Sequence, residues 1–198
     1  DATAQEVGDA TAAIVTTRAA LVFAGLADLD TAKAAAAGKA EADYTAASWS
    51  ALTTALAMPE TTNAEVVSKT GAINTALAGL VFAGWADLQA AKASAEVTRT
   101  ESDYIPDTWS AYSAALPVAL AKAESTNAEV VAKTNAINSA IGLLTFVNQA
   151  DLDAAIAQAG ELSEVLYTAA SWQVLEDALA QVPTTNAQVI AKKDAILG

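Results

Sequence analysis

The chain has 198 residues and a formal net charge of −13, from 23 acidic and 10 basic side chains. Its 53 alanines, against 9 glycines and 4 prolines, favour helices over strands, collagen or disorder. The sequence has no cysteine and no histidine, which excludes disulfide scaffolds, thiol chemistry and the commonest general base and metal ligand. The negative charge repels phosphate groups, so we expect no nucleic-acid partner.

Two uncharged stretches, residues 70–86 and 134–150, approach the length of a membrane span. Both are shorter than the ~20 apolar residues that a spanning helix needs, and both contain Asn, Thr and Gly. We therefore predict no membrane insertion within this sequence. We interpret the two stretches as helix segments buried where neighbouring repeats meet.

The first predicted element lies in residues 1–22, where Thr3 and Glu6 form the degenerate first copy of a capping signature. The sequence opens in the middle of a helical pattern and shows no signal peptide at Asp1. We interpret this segment as the last helix of an upstream, incomplete repeat.

A first signature then recurs three times and begins with tyrosine and ends with tryptophan. Its copies are residues 44–49 (Tyr-Thr-Ala-Ala-Ser-Trp), 104–109 (Tyr-Ile-Pro-Asp-Thr-Trp) and 167–172 (Tyr-Thr-Ala-Ala-Ser-Trp). In the outer copies the threonine suits an N-cap, which makes tyrosine and tryptophan the pair of a hydrophobic staple. In the middle copy Pro106 and Asp107 favour helix initiation by a fixed φ and a negative charge.

A second signature follows each copy of the first. Its copies are residues 62–67 (Thr-Asn-Ala-Glu-Val-Val), 126–131 (Thr-Asn-Ala-Glu-Val-Val) and 185–190 (Thr-Asn-Ala-Gln-Val-Ile). Threonine with Glu or Gln three residues later predicts a capping box at the start of a helix. Four extra residues separate the two signatures in the middle repeat, which predicts a second helix longer by about one turn.

Apolar residues at steps of three and four predict three helices in each repeat. We therefore predict an all-α chain of tandem three-helix bundles, with repeats at residues 23–81, 82–145 and 146–198, the last ending in a short helix. No proline interrupts residues 62–95, and the glycines there weaken a helix without forcing its end. We therefore expect long helices shared between neighbouring repeats, with the bundles stacked end to end as a rod.

The ordered pair of signatures, followed by a last helix ending Ala-Ile-Asn-x-Ala-Leu at residues 72–77, resembles FIVAR modules, named "found in various architectures". These modules occur in Gram-positive and actinobacterial surface proteins and in secreted glycosidases. The resemblance covers nearly the whole chain. It implies a three-helix bundle, an extracellular, cell-wall-associated or secreted location, and a role as a spacer or adhesive module. It implies no catalytic residue.

The tyrosine–tryptophan pairs are interpreted as staple and core rather than as a platform for sugar rings. Trp85 differs, because it aligns with Leu26 and Gln149 and so occupies a place that accepts a polar residue. Trp85, with the acidic residues Glu101 and Asp103 that follow the same predicted helix, is our candidate for ligand contact. A calcium loop is disfavoured because the Asp-x-Asp pairs lack its glycine and terminal Glu.

The sequence thus predicts no catalytic, cofactor-binding or metal-binding residue, and we expect no enzymatic activity. The favoured function is a structural stalk that projects a functional head from a bacterial cell wall, with the neighbouring repeats as its partners. The alternative is a direct adhesin, in which repeated weak sites bind a matrix protein or glycan and gain avidity from repetition.

Overall fold

A computed structural model describes residues 2–19 and 21–198. In this part of the chain the protein is all-α, which confirms the predicted fold class. The described helices are α1 (Ala4–Ala19), α2 (Leu26–Ala37), α3 (Ala46–Leu56), α4 (Asn63–Ala78), α5 (Trp85–Glu96), α6 (Pro106–Leu120), α7 (Asn127–Ile141), α8 (Gln149–Gly160), α9 (Ala169–Ala180) and α10 (Asn186–Leu197). None of these helices is long and apolar enough to cross a membrane.

The chain divides into two compact units, Asp1–Ala83 and Gly84–Gly198. The first contains α1 to α4 and the second α5 to α10. This division is coarser than the four predicted segments, and the boundaries at 22/23 and 145/146 stay predictions. We use repeat 1, repeat 2 and repeat 3 for residues 23–81, 82–145 and 146–198. Phe82 and Phe146 begin repeats 2 and 3 in the sequence, but each packs on the repeat before it and is described with that repeat.

The third helix of each repeat packs against the first two: α4 on α2 and α3, α7 on α5 and α6, and α10 on α8 and α9. In repeat 1 the core is made of Leu29, Leu52, Val66 and Ile73, none of which retains solvent exposure. Helix α1 instead has exposed side chains throughout residues 4–18. Residues that follow the 3.6-residue period thus form the repeat cores, as amphipathic helices require.

The predicted long helices shared between repeats are wrong. Helix α4 ends at Ala78 and α5 begins at Trp85, and the same interruption separates α7 from α8. Backbone pairing explains the break, because Phe82 forms an antiparallel bridge with Tyr44 and Phe146 forms one with Tyr104. Glycines flank the first break, and their low helix propensity makes leaving the helix inexpensive. Stiffness from one continuous helix is therefore not available to this chain.

The predicted helix starts are largely confirmed. The hydroxyls of Thr62 and Thr126 accept from the N3 amides while the N3 glutamates accept in return, so both capping boxes are complete. Thr185 caps α10 in the same way, but the Gln188 side chain accepts from the amide of Thr184 instead of closing the box. Helix α6 has 15 residues against 11 in α3, which confirms the extra turn.

The glycine before the first helix of repeat 1 and of repeat 2, Gly25 and Gly84, permits a close helix contact. A Cβ on Gly84 would lie 3.0 Å from Cγ2 of Val131 and 3.3 Å from Cγ1 of Val130. The amide of Gly84 donates to Oδ1 of Asn127, at 3.0 Å. The asparagine of the second signature thus binds the start of the first helix of its own repeat, and the glycine lets the two elements approach.

Candidate functional site

An aromatic cluster lies at the end of each repeat where the second helix begins. In repeat 1 the ring of Tyr44 stacks on Trp49, with centroids 6.2 Å apart, and on Phe82 at 5.5 Å. The tyrosine precedes the N-cap Thr45 and the tryptophan lies at N4, as predicted for a staple. Phe82, which comes from the segment after α4, was not predicted to stack on this pair.

Repeat 2 builds the same cluster more tightly. Tyr104 stacks on Trp109 at 5.8 Å and on Phe146 at 4.9 Å, and Tyr112 adds a tilted ring 5.5 Å from Trp109. Tyr104 is only 8% exposed, and burial raises the pKa of its hydroxyl above the ordinary value. The structure therefore favours the core interpretation of these aromatics over a sugar platform.

Backbone hydrogen bonds fix the phenylalanine segment on each cluster. In repeat 1 the amide of Thr45 donates to the carbonyl of Val81 at 2.8 Å, and the amide of Ala83 donates to the carbonyl of Asp43 at 2.9 Å. In addition, the amide of Val81 donates to the Ser48 hydroxyl at 3.2 Å. We call this arrangement of a bridged phenylalanine segment over a tyrosine–tryptophan pair a seam.

The structure does not bring the three predicted contact residues into one site. Trp85 begins α5, is 36% exposed and lies under the ammonium group of Lys92, 5.7 Å from the ring centroid. Glu101 is exposed in the short 3₁₀ turn before α6. Asp103 ends that turn, and its carbonyl accepts from the amide of Val147 at 3.0 Å. Trp85 and Glu101 remain surface residues, whereas Asp103 takes part in the seam of repeat 2.

A cavity of about 500 Å³ lies beside that seam, within the second unit. Arg99, Asp103 and Phe146 line it from repeat 2, and Thr184 and Thr185 line it from the loop before α10 of repeat 3. Asp103 is the one predicted contact residue on its wall. Within residues 2–19 and 21–198, no group of three or more acidic side chains is placed to hold a metal ion.

Two buried lysines form charged clusters that the sequence reasoning missed. Lys69 is 4% exposed and binds Glu60, which also accepts from Lys33 with a contact of 2.7 Å. Both lysines lower the pKa of the Glu60 carboxyl, the hydrogen bond from Lys33 contributing most. The ammonium group of Lys69 also donates to the carbonyl of Met58, at 2.8 Å.

Repeat 2 reproduces this cluster in full. Lys133 and Lys92 lie 2.6 and 2.7 Å from the same oxygen of Glu124, and Lys133 also donates to the carbonyl of Lys122. The hydrogen bond from Lys133, followed by that from Lys92, lowers the pKa of Glu124. Each cluster ties the first and third helices to the loop between the second and third. We read both clusters as structural, because every charge has its partner within the repeat.

Comparison with known proteins identifies no relative: no family model, curated protein or solved structure matches this chain.

Proposed function

We propose that this chain is a non-enzymatic spacer segment of a bacterial cell-surface or secreted multidomain protein, which separates a functional head from its anchor. One observation carries the proposal. The amide of Val147 donates to Asp103 in repeat 2, and the amide of the next residue, Asn148, donates to Asn186 in repeat 3.

Consecutive residues therefore bind to different repeats, and no unbonded residue lies between them. A spacer keeps its ends apart only when its segments do not pivot freely, and flexible linkers are the usual source of such pivoting. Repeat 3 also approaches repeat 2 through Thr184 and Thr185, beside the cavity described above. The short junction and the shared cavity wall both support a restricted hinge between the two repeats.

The resemblance to FIVAR modules supports the setting of the proposal, which is a cell wall or a secreted protein. It rests on the paired signatures, with their staples and capped third helices. The charge of −13, spread over a largely helical surface, supports a role in which neighbouring segments repel one another and stay dispersed.

The hinge is tested with a distance between two labels in the second unit. The chain has no native cysteine, so Val118→Cys and Val174→Cys, at positions 67% and 65% exposed, accept spin labels specifically. We expect one narrow distance distribution. The matched control inserts Gly-Ser-Gly between Val147 and Asn148 and is expected to broaden it. A wild-type distribution as broad as that of the insertion variant would overturn the spacer proposal.

The alternative function is direct adhesion, which a binding measurement tests. Trp85, with the half-buried Lys92 over its ring, is the surface feature closest to what such a site needs, although Trp85 has no aromatic counterpart in repeats 1 and 3. The intact chain is applied to immobilised glycans and matrix proteins, beside a Trp85→Ala variant. Saturable binding that Trp85→Ala removes would replace the spacer with the adhesin; equal, weak signals for both would leave the spacer standing.

A further inference from the structure

The cavity beside the seam of repeat 2 has both charged and apolar walls. Arg99 and Asp103 supply one charge of each sign. The apolar wall includes Ile141, Leu144 and Phe146, which are only half-buried and so leave apolar surface uncovered. The volume of about 500 Å³ lies within the range of pockets that bind small molecules. The cavity therefore has room for a ligand and offers it two charges and an apolar surface.

Arg99 is held in place on this wall. Its terminal nitrogens donate to the carbonyls of Val97 and Ser94, both at 2.9 Å, and its guanidinium lies 5.7 Å from the ring centroid of Tyr112. These bonds satisfy carbonyls at the C-terminal end of α5 and use two of the five N–H groups of the side chain. The other N–H groups belong to a side chain that is already ordered, which lowers the entropic cost of binding a ligand.

The charge of Arg99 is not neutralised by a carboxylate. Across the described ranges 2–19 and 21–198, no acidic side chain forms an ion pair with it, whereas the two lysines of the charged cluster in repeat 2 share one glutamate. Burial raises the pKa of the Tyr104 hydroxyl, the charge of Arg99 opposes that rise, and the charge of Asp103 adds to it. Arg99 and Asp103 thus both act on Tyr104 without pairing with each other.

The loop that carries Arg99 is particular to repeat 2. Between the first helix and the 3₁₀ turn this repeat has four residues, 97–100, whereas repeats 1 and 3 have three, 38–40 and 161–163. Neither shorter loop contains an arginine. Repeats 1 and 3 pack their three helices without the extra residue, so the packing of a repeat does not require it. The insertion and its arginine are therefore available for a different role.

We propose that this cavity binds a short peptide with free termini, its carboxylate on Arg99, its ammonium group on Asp103 and an apolar side chain against Phe146. A guanidinium pairs with a carboxylate through two parallel hydrogen bonds. One charge of each sign on the wall favours a ligand of zero net charge, and the net charge of −13 disfavours a simple anion.

The separation of the two charges favours a peptide over a free amino acid. Because Arg99 and Asp103 do not pair with each other, the charges of the ligand must also lie apart, and the ends of a dipeptide are about 7 Å from each other. Thr184 and Thr185 of repeat 3 complete the wall, so the site uses the same arrangement of repeats 2 and 3 as the proposed spacer. The site adds a binding activity to that spacer.

An NMR titration of the isotope-labelled intact chain with the dipeptide Leu-Leu tests the site. We expect saturable shifts at residues of the cavity wall, with a Kd on the order of 0.1–1 mM, as ligand efficiency gives for roughly 17 non-hydrogen atoms. N-acetyl-Leu-Leu lacks the ammonium group and Leu-Leu-amide lacks the carboxylate. Each should bind the wild-type chain at least tenfold more weakly, because a charged hydrogen-bond partner is left unpaired.

Two variants assign the ends of the peptide. Arg99→Gln should bind Leu-Leu and Leu-Leu-amide with equal Kd, since the partner of the carboxylate is gone. Asp103→Asn should bind Leu-Leu and N-acetyl-Leu-Leu with equal Kd, since the partner of the ammonium group is gone. The matched control is Lys122→Gln, which removes a positive charge from an exposed position of the second unit outside this cavity and should keep the wild-type Kd.

The outcomes separate the site from the spacer. Equal binding of the three peptides by the wild-type chain, or no saturable shift at ten times the expected Kd, would overturn the peptide site. If the label distance between positions 118 and 174 is narrow while Leu-Leu does not bind, the site fails and the spacer stands. If Leu-Leu binds with the expected preference while that distance is broad, the spacer fails and the site stands.

Discussion

Repeats 2 and 3 contain the same aromatic staple in two environments. Tyr104 and Tyr167 stack on the tryptophan five residues later at 5.8 and 6.1 Å, yet their exposures are 8% and 48%. The difference is Phe146, which covers Tyr104 from a position 42 residues further along the chain. Local sequence thus assembles the staple, whereas a distant segment decides whether it is buried.

The buried lysines of repeats 2 and 3 also occupy equivalent positions with different partners. Lys133 binds Glu124, and that carboxylate also binds Lys92. Lys192 lies at the equivalent position of repeat 3 and is 7% exposed, but Pro183 replaces the glutamate and Ile156 the first lysine. Its ammonium group instead donates to the carbonyls of Leu179 and Gln181, at 2.8 and 2.7 Å. The buried ammonium group of Lys192 is therefore stabilised by backbone carbonyls, without a carboxylate.

The largest expected effect is a difference in stability loss between Trp109→Ala and Trp172→Ala. Trp109→Ala removes a ring that contacts both Tyr104 and Tyr112, and we expect it to lower the free energy of unfolding of the second unit by ~3–5 kcal/mol. Trp172→Ala removes a ring that stacks on the 48% exposed Tyr167 and should cost about half as much, since less area is lost from the core. Denaturant unfolding of both variants measures the two losses of free energy. Equal losses would contradict the difference between the buried Tyr104 and the exposed Tyr167 as stacking partners.

How far the sequence predicts this molecule follows from the range of each interaction. The helix class, the staple of Tyr44 and Trp49 and the cap at Thr62 depend on residues within one or two turns, and all were predicted. The bridge between Tyr44 and Phe82 joins residues 38 positions apart. Helical periodicity reports only on residues a few positions apart, so it does not indicate this bridge. For that reason a helix shared between repeats was predicted instead.

The candidate site shows the same limit. Trp85 was selected because its aligned positions vary, and it is indeed partly exposed, but the sequence does not indicate that Lys92 covers its ring. Lys69 is one more polar residue on a helix until the fold places Glu60 and Met58 against it. The recurrence of lysine at positions 69, 133 and 192 was the signal that could have predicted the buried clusters.

The second-largest expected effect compares a buried lysine bound to a carboxylate, Lys133, with one bound only to carbonyls, Lys192. Lys133→Ala leaves the carbonyl of Lys122 unpaired and Glu124 bound to Lys92 alone, and Lys192→Ala leaves two carbonyls unpaired. We expect each to cost ~2 kcal/mol of unfolding free energy. Only the Lys133→Ala loss should shrink as salt is raised, because only that cluster contains an ion pair.

Denaturant unfolding at 0.05 and 1 M salt measures this difference. Lys133→Met and Lys192→Met serve as controls, since they keep most of the aliphatic stem. An identical salt response in the two alanine variants would show that the carboxylate contributes nothing that the carbonyls do not.

A smaller effect compares a complete capping box with an incomplete one. Thr126→Ala removes the acceptor for the Glu129 amide and should cost ~1 kcal/mol. Thr185→Ala removes one longer bond, at 3.3 Å, from a helix whose Gln188 already binds Thr184, so we expect roughly half that loss. The corresponding Thr→Ser variants keep the hydroxyl and should retain wild-type thermal unfolding. A larger loss at Thr185 than at Thr126 would contradict the value assigned to the closed box.

The smallest effect is a pH dependence in the charged clusters. The lysines lower the pKa of Glu124 in the folded state, so its contribution to stability is fully present above the ordinary value of about 4.5 and is lost as pH falls through the lowered pKa. Glu124→Gln should therefore differ from wild type at pH 7 and converge with it on acidification. Glu60→Gln should behave alike in the first unit, where Lys33 and Lys69 lower that carboxyl's pKa. Thermal unfolding of both variants from pH 7 to pH 3 gives the two difference curves. Curves parallel to wild type throughout would mean that the carboxylates act as neutral acceptors do, and repeats 1 and 2 would then hold their lysines as repeat 3 does.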